Sequence, residues 1–278
     1  MQVERQPFFG LDEILGVVRG KVTGALHQGE AIDYLSFVPD GEPTLDLNLG
    51  AEIAGLRELG IRIAVISNAS LIWRDDVRAE LMTADWVSLK VDAVRIPTWR
   101  RIDRPHGSLE LHAILDGIRT FADDFKGEFV TETMLVKGVN DTEDDLVEIA
   151  AFLGEVQPAI AYLSIPTRPP AEEWVRAADE GSINKAYQLV GEQVNQVELL
   201  LGYEGNAFSS SGDAEADILS ITAVHPMRED AVMRLLTETG SSWDLVVELL
   251  QQGKLVELQH LGKRFYLRRI LGYADKGF

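Results

Sequence analysis

The sequence predicts an α/β fold built on a parallel sheet, and two observations carry that prediction. Short apolar segments alternate along the chain with amphipathic segments of roughly ten to fifteen residues, a pattern typical of right-handed βαβ units. The apolar segments end on polar residues, at the strand end where α/β folds bind ligands. One predicted strand also carries polar residues in its interior, which favours an incomplete or complete β/α barrel over a doubly wound sheet.

Hydrophobic periodicity places the individual elements. The helix that opens at Thr142 has a cap signal in the preceding Asn140 and Asp141. Segment 95–104 is predicted as a loop rich in arginine, which either contacts a phosphate or acidic substrate or pairs with nearby carboxylates. The predicted strands are 31–38, 62–68, 85–92, 128–136, 159–166 and 197–201, and the predicted helices are 11–26, 49–59, 74–82, 109–125, 142–156 and, for most of its length, 172–195.

Composition limits the classes of function. Of the 278 residues, 46% are apolar and 26% charged, so a sizeable core is expected rather than disorder. The net charge of −19 argues against broad, sequence-independent nucleic-acid binding, which needs clustered Lys and Arg. The chain has no cysteine, so its own residues form no disulfide, thiolate nucleophile or Cys-ligated zinc or iron–sulfur site.

Neither a membrane partner nor export is expected. No apolar run approaches the roughly 18 residues of a membrane span, and the first residues lack the pattern of a signal peptide. We therefore expect a cytoplasmic protein.

The turn after the first predicted strand has the composition of a binding loop. Gly41 allows close approach of a ligand to the backbone, Pro43 fixes the chain direction, and the acceptor group of Glu42 stands between them. The alternative is an ordinary strand-to-helix turn with a solvated glutamate.

A second polar cluster lies on the predicted strand 85–92. Ser88, Lys90 and Asp92 share one face of this strand, while Leu89 and Val91 share the other. Three inward polar groups predict a wet or ligand-filled barrel mouth; an edge strand with one solvated face is the alternative.

The carboxy-terminal part reads as a separate small module. We predict a barrel over 1–204, a linker over 205–216 and a winged-helix-like domain over 217–278, with helices at 229–238 and 243–252 and a hairpin of 255–259 with 264–268. Residues 205–278 carry 8 Lys and Arg against 10 Asp and Glu, and the second helix offers no Lys or Arg. A protein-contact or substrate-presenting role is therefore favoured over nucleic-acid binding.

Six ordered segments of the chain resemble radical S-adenosylmethionine (radical SAM) proteins, in the branch of iron–sulfur oxidoreductases similar to wyosine-synthesis enzymes. The resemblance covers about residues 1 to 170, with roughly one motif per successive strand end. The matching segments are 41–45, 66–71, 87–93, 101–106, 132–136 with Asn140 and Asp141, and 166–170.

The resemblance implies a partial TIM-type barrel of six β/α units that cleaves S-adenosylmethionine (SAM) reductively to a 5′-deoxyadenosyl radical. It implies a 4Fe-4S cluster on a Cys-x3-Cys-x2-Cys loop, an electron donor such as flavodoxin or ferredoxin, and RNA modification among the candidate reactions. The turn at Gly41, Glu42, Pro43 and Thr44 would hold the methionine amino group, and Lys90 the carboxylate. The remaining cofactor-binding residues implied are Asn68, Ser88, Asp92, Glu132 and Arg168.

The chain departs from the family pattern in one respect. The first strand and the three cluster cysteines are missing, and without thiolates no cluster delivers an electron to the sulfonium. Two explanations stay open: an amino terminus that extends beyond the recorded start, or a cluster-free relative that binds SAM or a similar ligand or acts in regulation. A missing strand would leave the edge of strand 31–38 unpaired, which favours the first explanation.

Overall fold

The computed structural model describes residues 2–38, 41–200, 210–224, 226–260 and 262–269. The chain divides into two compact units. The first consists of Met1–Pro166 and Trp174–Leu201, and the second of Thr167–Glu173 and Gly202–Phe278.

The first unit is built on a six-stranded sheet in which every neighbouring pair of strands is parallel and the spatial order follows the chain. This confirms the predicted α/β class and is consistent with a partial TIM-like barrel. The strands are β1 (Tyr34–Phe37), β2 (Arg62–Ser67), β3 (Trp86–Lys90), β4 (Glu128–Met134), β5 (Ile160–Ser164) and β6 (Val197–Leu200).

Helices connect the strands of this sheet. They are α1 (Leu11–His27), α2 (Leu49–Arg57), α3 (Asp75–Leu81), α4 (Ile96–Ile102), α5 (Leu111–Asp124), α6 (Glu143–Val156) and α7 (Glu180–Gly191), with a 3-10 turn at Pro43–Leu45. The Thr142 cap is confirmed, since its hydroxyl accepts a hydrogen bond from the backbone N–H of Asp145.

The two faces of the sheet differ in burial. One face, with Val65, Val87 and Leu163, packs with helix residues in a single core. The register aligns Ile66 with Ser88 on the other face, where Ile66 is 39% exposed. Because β3 has a strand on each side, the edge-strand alternative for its polar residues is wrong: they belong to a central strand, where Ser88 is 5% exposed and Lys90 is partly buried.

Two predicted elements need correction. The arginine-rich segment 95–104 contains helix α4, in which a proline in the first turn costs no hydrogen bond and Trp99 is buried. The predicted helix over 172–195 is restricted to α7, because the preceding residues pair with the chain after β4: the N–H of Lys137 donates to the carbonyl of Arg176 at 2.9 Å, and Ala177 bridges to Val136.

The described residues of the second unit form three helices and a small antiparallel sheet. The predicted helices and hairpin lie close to their expected positions, but α8 was not predicted and begins inside the proposed linker; residues 205–209 of that linker lie outside the described residues. Ile218, Leu235, Leu249 and Tyr266 belong to its core. The elements are α8 (Ala214–Val224), α9 (Glu229–Glu238), α10 (Asp244–Gln251), β7 (Met227–Arg228), β8 (Leu255–His260) and β9 (Lys263–Arg268), with sheet order β7-β9-β8.

Among the described residues, no helix combines the length and the apolar character needed to cross a membrane.

Candidate functional site

The turn after β1 is held by the side chain of Glu42. This residue is 7% exposed, so the alternative of a solvated glutamate is wrong. Its Oε1 accepts hydrogen bonds from the N–H and hydroxyl of Thr44, at 3.1 and 2.7 Å, and from the Ser67 hydroxyl at 2.7 Å. Its Oε2 accepts from the backbone N–H of Asn68 at 2.7 Å. Three of the four donors therefore reach Oε1 and one reaches Oε2, although each oxygen has two acceptor positions.

Burial raises the pKa of Glu42 above its ordinary value, although the hydrogen bonds from Thr44, Ser67 and Asn68 act in the opposite direction. The carboxyl therefore joins the β1 turn to the end of β2, and Oε2 retains one acceptor position. Beside it, a Cβ atom added at Gly41 would meet no heavy atom of the described residues within 4 Å, so the space next to this backbone is open.

A second group of charges lies at the end of β3. The Lys90 ammonium is 3.6 Å from Oδ2 of Asp92 and 3.4 Å from Oε1 of Glu132 on β4. Burial by itself would lower the pKa of Lys90, but the negative charges of Asp92, Glu132 and Asp103 outweigh it and raise that pKa. Oδ1 of Asp92 accepts from the N–H of Met134 at 2.7 Å, which ties the end of β3 to β4.

Asp103, at the end of α4, completes this group. Its carboxyl lies within hydrogen-bonding reach of the Asp92 carboxyl. Many protein atoms surround the Asp103 carboxyl, although more than a third of the residue's surface is accessible. Crowding by protein and the nearby charge of Asp92 raise the pKa of Asp103 to about 8, with Lys90 acting in the opposite direction. The sequence analysis gave Asp103 no role, although the residue lies in segment 101–106, which resembles the radical SAM proteins and could have indicated a place in the site.

These side chains surround one cavity of about 510 Å³. Its polar end is formed by strand ends and by Asp103, and its apolar wall comes from α4, the segment after it and one face of α5. The apolar residues of this wall are Trp99, Ile102, Pro105, Leu109, Leu111, Ile114, Leu115 and Ile118, and Val3, Leu45, Val91, Ala93 and Met134 also line the cavity. A cavity of this volume suits a ligand of drug-like size.

Most of the residues predicted for the site meet here. Gly41, Glu42, Asn68, Lys90 and Asp92 line the cavity. Pro43 follows Glu42 in the chain, Thr44 is bonded to Glu42, and Glu132 is bonded to Lys90. Ser88 lies two residues before Lys90 on β3 and is not among the lining residues. Arg168 belongs to the segment Thr167–Glu173, which groups with the second unit, so its place in the site stays a prediction.

The arginine-rich segment is explained in part by ion pairs. Arg95 lies 3.7 Å from carboxylate oxygens of both Asp145 and Glu148, and Arg101 donates to the carbonyl of Gly138 at 2.8 Å. These contacts favour the alternative in which the arginines pair with groups of the chain itself.

No group of three or more His, Cys, Asp and Glu side chains in the described residues is arranged to hold a metal ion.

Solved structures that this chain resembles in fold include a radical SAM methyltransferase and the protein SuiB. The radical SAM methyltransferase of Sphaerobacter thermophilus is similar with a TM-score of 0.52 and 16% identity, over 71% of this chain and 59% of that one. Streptococcus suis SuiB, solved with bound S-adenosylmethionine, is similar with a TM-score of 0.51 and 11% identity, over 77% of this chain and 50% of that one. At such identities the likeness concerns the fold, and the chain has a radical SAM-like fold.

No family model matches the sequence. A UPF0026 protein of Helicobacter pylori is 36% identical over 140 residues, which are 50% of this chain and 45% of that protein. The UPF0026 protein MJ1312 of Methanocaldococcus jannaschii is 43% identical over 270 residues, covering 96% of this chain and 84% of that protein. The chain therefore belongs to the UPF0026 family.

Proposed function

We propose that this chain binds S-adenosylmethionine in the cavity at the carboxyl ends of β1 to β3, as a protein of the radical SAM type. The observation that carries this proposal is the convergence of Gly41, Asn68, Lys90 and Asp92 on one cavity of about 510 Å³. Ligands of parallel α/β folds bind at this end of the strands.

The charge around the cavity suits this ligand. S-adenosylmethionine carries a sulfonium, an amino group and one carboxylate, so it is a cation overall. The cavity is lined by the carboxyl groups of Glu42, Asp92 and Asp103 and by the ammonium of Lys90, which also contacts the carboxylate of Glu132. Carboxylates in a pocket of low polarity attract a cation more strongly than the same carboxylates would in water.

Individual roles follow from the contacts. Lys90 is the group that receives the ligand carboxylate, and Glu132 holds its ammonium in place at 3.4 Å. The open backbone at Gly41 receives the methionine end, and the apolar wall around Trp99 receives the adenine. Glu42 keeps the role that the resemblance implies: Oε1 positions the turn, and Oε2, which has one donor, retains an acceptor position for the methionine amino group.

The residues present fit this ligand and do not fit a 4Fe-4S cluster, because the chain supplies no thiolate. Reductive cleavage of S-adenosylmethionine would need that cluster, so we assign no radical step to these residues. A cluster-free ligand-binding or regulatory protein uses the same cavity and remains the alternative.

Calorimetry with S-adenosylmethionine tests the proposal. Gly41→Ala adds a methyl group to open space, so the fold is expected to be unchanged while affinity falls about tenfold or more, because the ligand occupies that space. Gly107→Ala is the matched control: its added Cβ also meets no described atom within 4 Å, but Gly107 does not line the cavity. Equal affinity in the two variants would contradict this placement of the ligand.

We also propose that the second unit is of the winged-helix type and contacts a protein. The order of α9, α10 and the β8–β9 hairpin supports the first point. Ion pairs within the unit support the second, since Arg264 pairs with Glu229, and Lys254 with Glu215, which lowers the charge available to a phosphate backbone. Salt-dependent binding of the whole chain to duplex DNA, lost in Arg264→Ala, would contradict the protein-contact role.

A further inference from the structure

Two carboxyl groups face each other inside the cavity, and the proposed function uses neither of them fully. Asp92 follows β3 and is 4% exposed, while Asp103 follows α4 and is accessible. They lie within hydrogen-bonding reach of one another, although they belong to different elements. Arg104, with a φ of 47°, turns the chain directly after Asp103.

The charged groups around this pair are few. Lys90 on β3 places its ammonium 3.6 Å from Asp92, and Glu132 on β4 is bonded to the same ammonium. Glu42 in the β1 turn lines the same cavity. The face of α5 that lines the cavity contributes Leu111, Ile114, Leu115 and Ile118, all apolar. Lys90 contacts two of these carboxylates, those of Asp92 and Glu132.

Two carboxyl groups within hydrogen-bonding reach keep one proton between them, because surrounding protein disfavours the charged form and two adjacent anions repel each other. The raised pKa of Asp103, about 8, agrees with this expectation. In the empty cavity at neutral pH the pair therefore carries a single negative charge.

We propose that Asp103 determines the selectivity of the cavity for a cationic ligand, and that binding of the cation releases a proton from the Asp92–Asp103 pair to solvent. This inference rests on the proposed function and assigns it a selectivity residue. The O–H bond of the protonated carboxyl breaks, the proton passes to water or buffer, and the second carboxylate then faces the positive groups of the ligand. A neutral nucleoside has no positive charge to stabilise the second carboxylate, so the carboxyl pair keeps its proton.

Calorimetry at pH 7 in buffers of different ionisation enthalpy measures this release. With a pKa of about 8, nearly all of the protein holds the proton at pH 7, so wild type should release close to one proton when it binds S-adenosylmethionine. The ligand's own amino group titrates near pH 8, so the readout is the difference between wild type and Asp103→Asn. The amide of that variant can still donate to Asp92 but cannot ionise.

The expected pattern has four parts. Asp103→Asn lowers affinity for S-adenosylmethionine about tenfold or more and removes the extra proton, whereas Asp103→Glu, which keeps an ionisable carboxyl, retains the release. From pH 6 to pH 7 the affinity of wild type rises about tenfold, and that of Asp103→Asn changes much less. His106→Gln, in the same segment, leaves the proton count unchanged. The neutral probe 5′-methylthioadenosine releases no proton and binds wild type and Asp103→Asn equally.

Two results would overturn the proposal in different ways. If S-adenosylmethionine binds with the same proton count in wild type and Asp103→Asn, the role of Asp103 is wrong while the proposed function stands. If wild type does not bind S-adenosylmethionine at all, the proposed function is wrong and this inference falls with it.

Discussion

Replacing Glu42 by glutamine tests the hydrogen bonds that hold the β1 turn. Two of the four donors to its carboxylate are hydroxyl groups, of Thr44 and Ser67, which can rotate and accept from an amide instead. The other two are backbone N–H groups, of Thr44 facing Oε1 and of Asn68 facing Oε2. The glutamine side chain has one oxygen, so one backbone N–H loses its acceptor in either amide orientation.

The expected cost follows from that single unpaired donor. A buried donor left without a partner destabilises a protein by about 1–3 kcal/mol, and we expect Glu42→Gln to lower the free energy of unfolding by about 2 kcal/mol. Urea denaturation measures the change, with one common slope of unfolding free energy against urea concentration for both proteins. We choose pH 8 because it favours the ionised Glu42 carboxyl in wild type despite its raised pKa.

Glu52 provides the matched control. It is 5% exposed, but its Oε1 has no hydrogen-bond partner among the described residues. Burial and then the charge of Asp46 raise its pKa, so Glu52→Gln removes an unfavourable charge and should not destabilise the fold. A change below about 0.5 kcal/mol for Glu42→Gln, within the range of an ordinary surface substitution, would refute the reasoning.

Three further predictions concern stability. Arg5→Met removes a side chain that is 3% exposed and pairs with Asp76 and Glu80. We expect the free energy of unfolding in urea to fall by about 3 kcal/mol. A fall below about 1 kcal/mol would place these ion pairs among ordinary surface pairs. Gly117→Ala puts a Cβ atom 2.6 Å from a backbone carbonyl oxygen, so a loss of about 1–3 kcal/mol is expected, and a variant as stable as wild type would show that the helix shifts freely. The pKa of Asp103 is raised in the folded state to about 8, so its contribution to stability is lost as pH rises from about 4 towards 8. In thermal melts, Asp103→Asn should therefore be more stable relative to wild type at pH 8.5 than at pH 5. A difference that does not change with pH would contradict the raised pKa.

The strand order and the edge that carries the site were predictable from sequence for a physical reason. Parallel strands bring all their carboxyl ends to one edge of the sheet, so polar residues that end successive apolar segments must meet. Gly41, Asn68 and Lys90 illustrate this, since they lie far apart in the chain and line one cavity. Helix α4 escaped prediction because a short helix with a proline and several arginines has the composition of a loop.

The roles of individual side chains were less predictable. The composition of the β1 turn indicated a ligand contact for Glu42, and the structure adds that its oxygens accept hydrogen bonds from Thr44, Ser67 and Asn68. Nothing in the turn itself shows that the end of β2 supplies two of those donors. A hydrogen-bonding group is available to a ligand only after the groups of its own chain have been placed around it.

The sequence by itself determined the α/β class, the six parallel strands and the edge of the sheet at which polar residues collect, because alternation of residue types along the chain is a local property that each strand and helix expresses by itself. Only the tertiary structure decided that Asp103 lies against Asp92, that Lys90 balances just part of the surrounding negative charge, and that the apolar wall of α5 encloses them. Protonation depends on distance between charges and on exclusion of water, and these quantities exist only once separate elements have packed together.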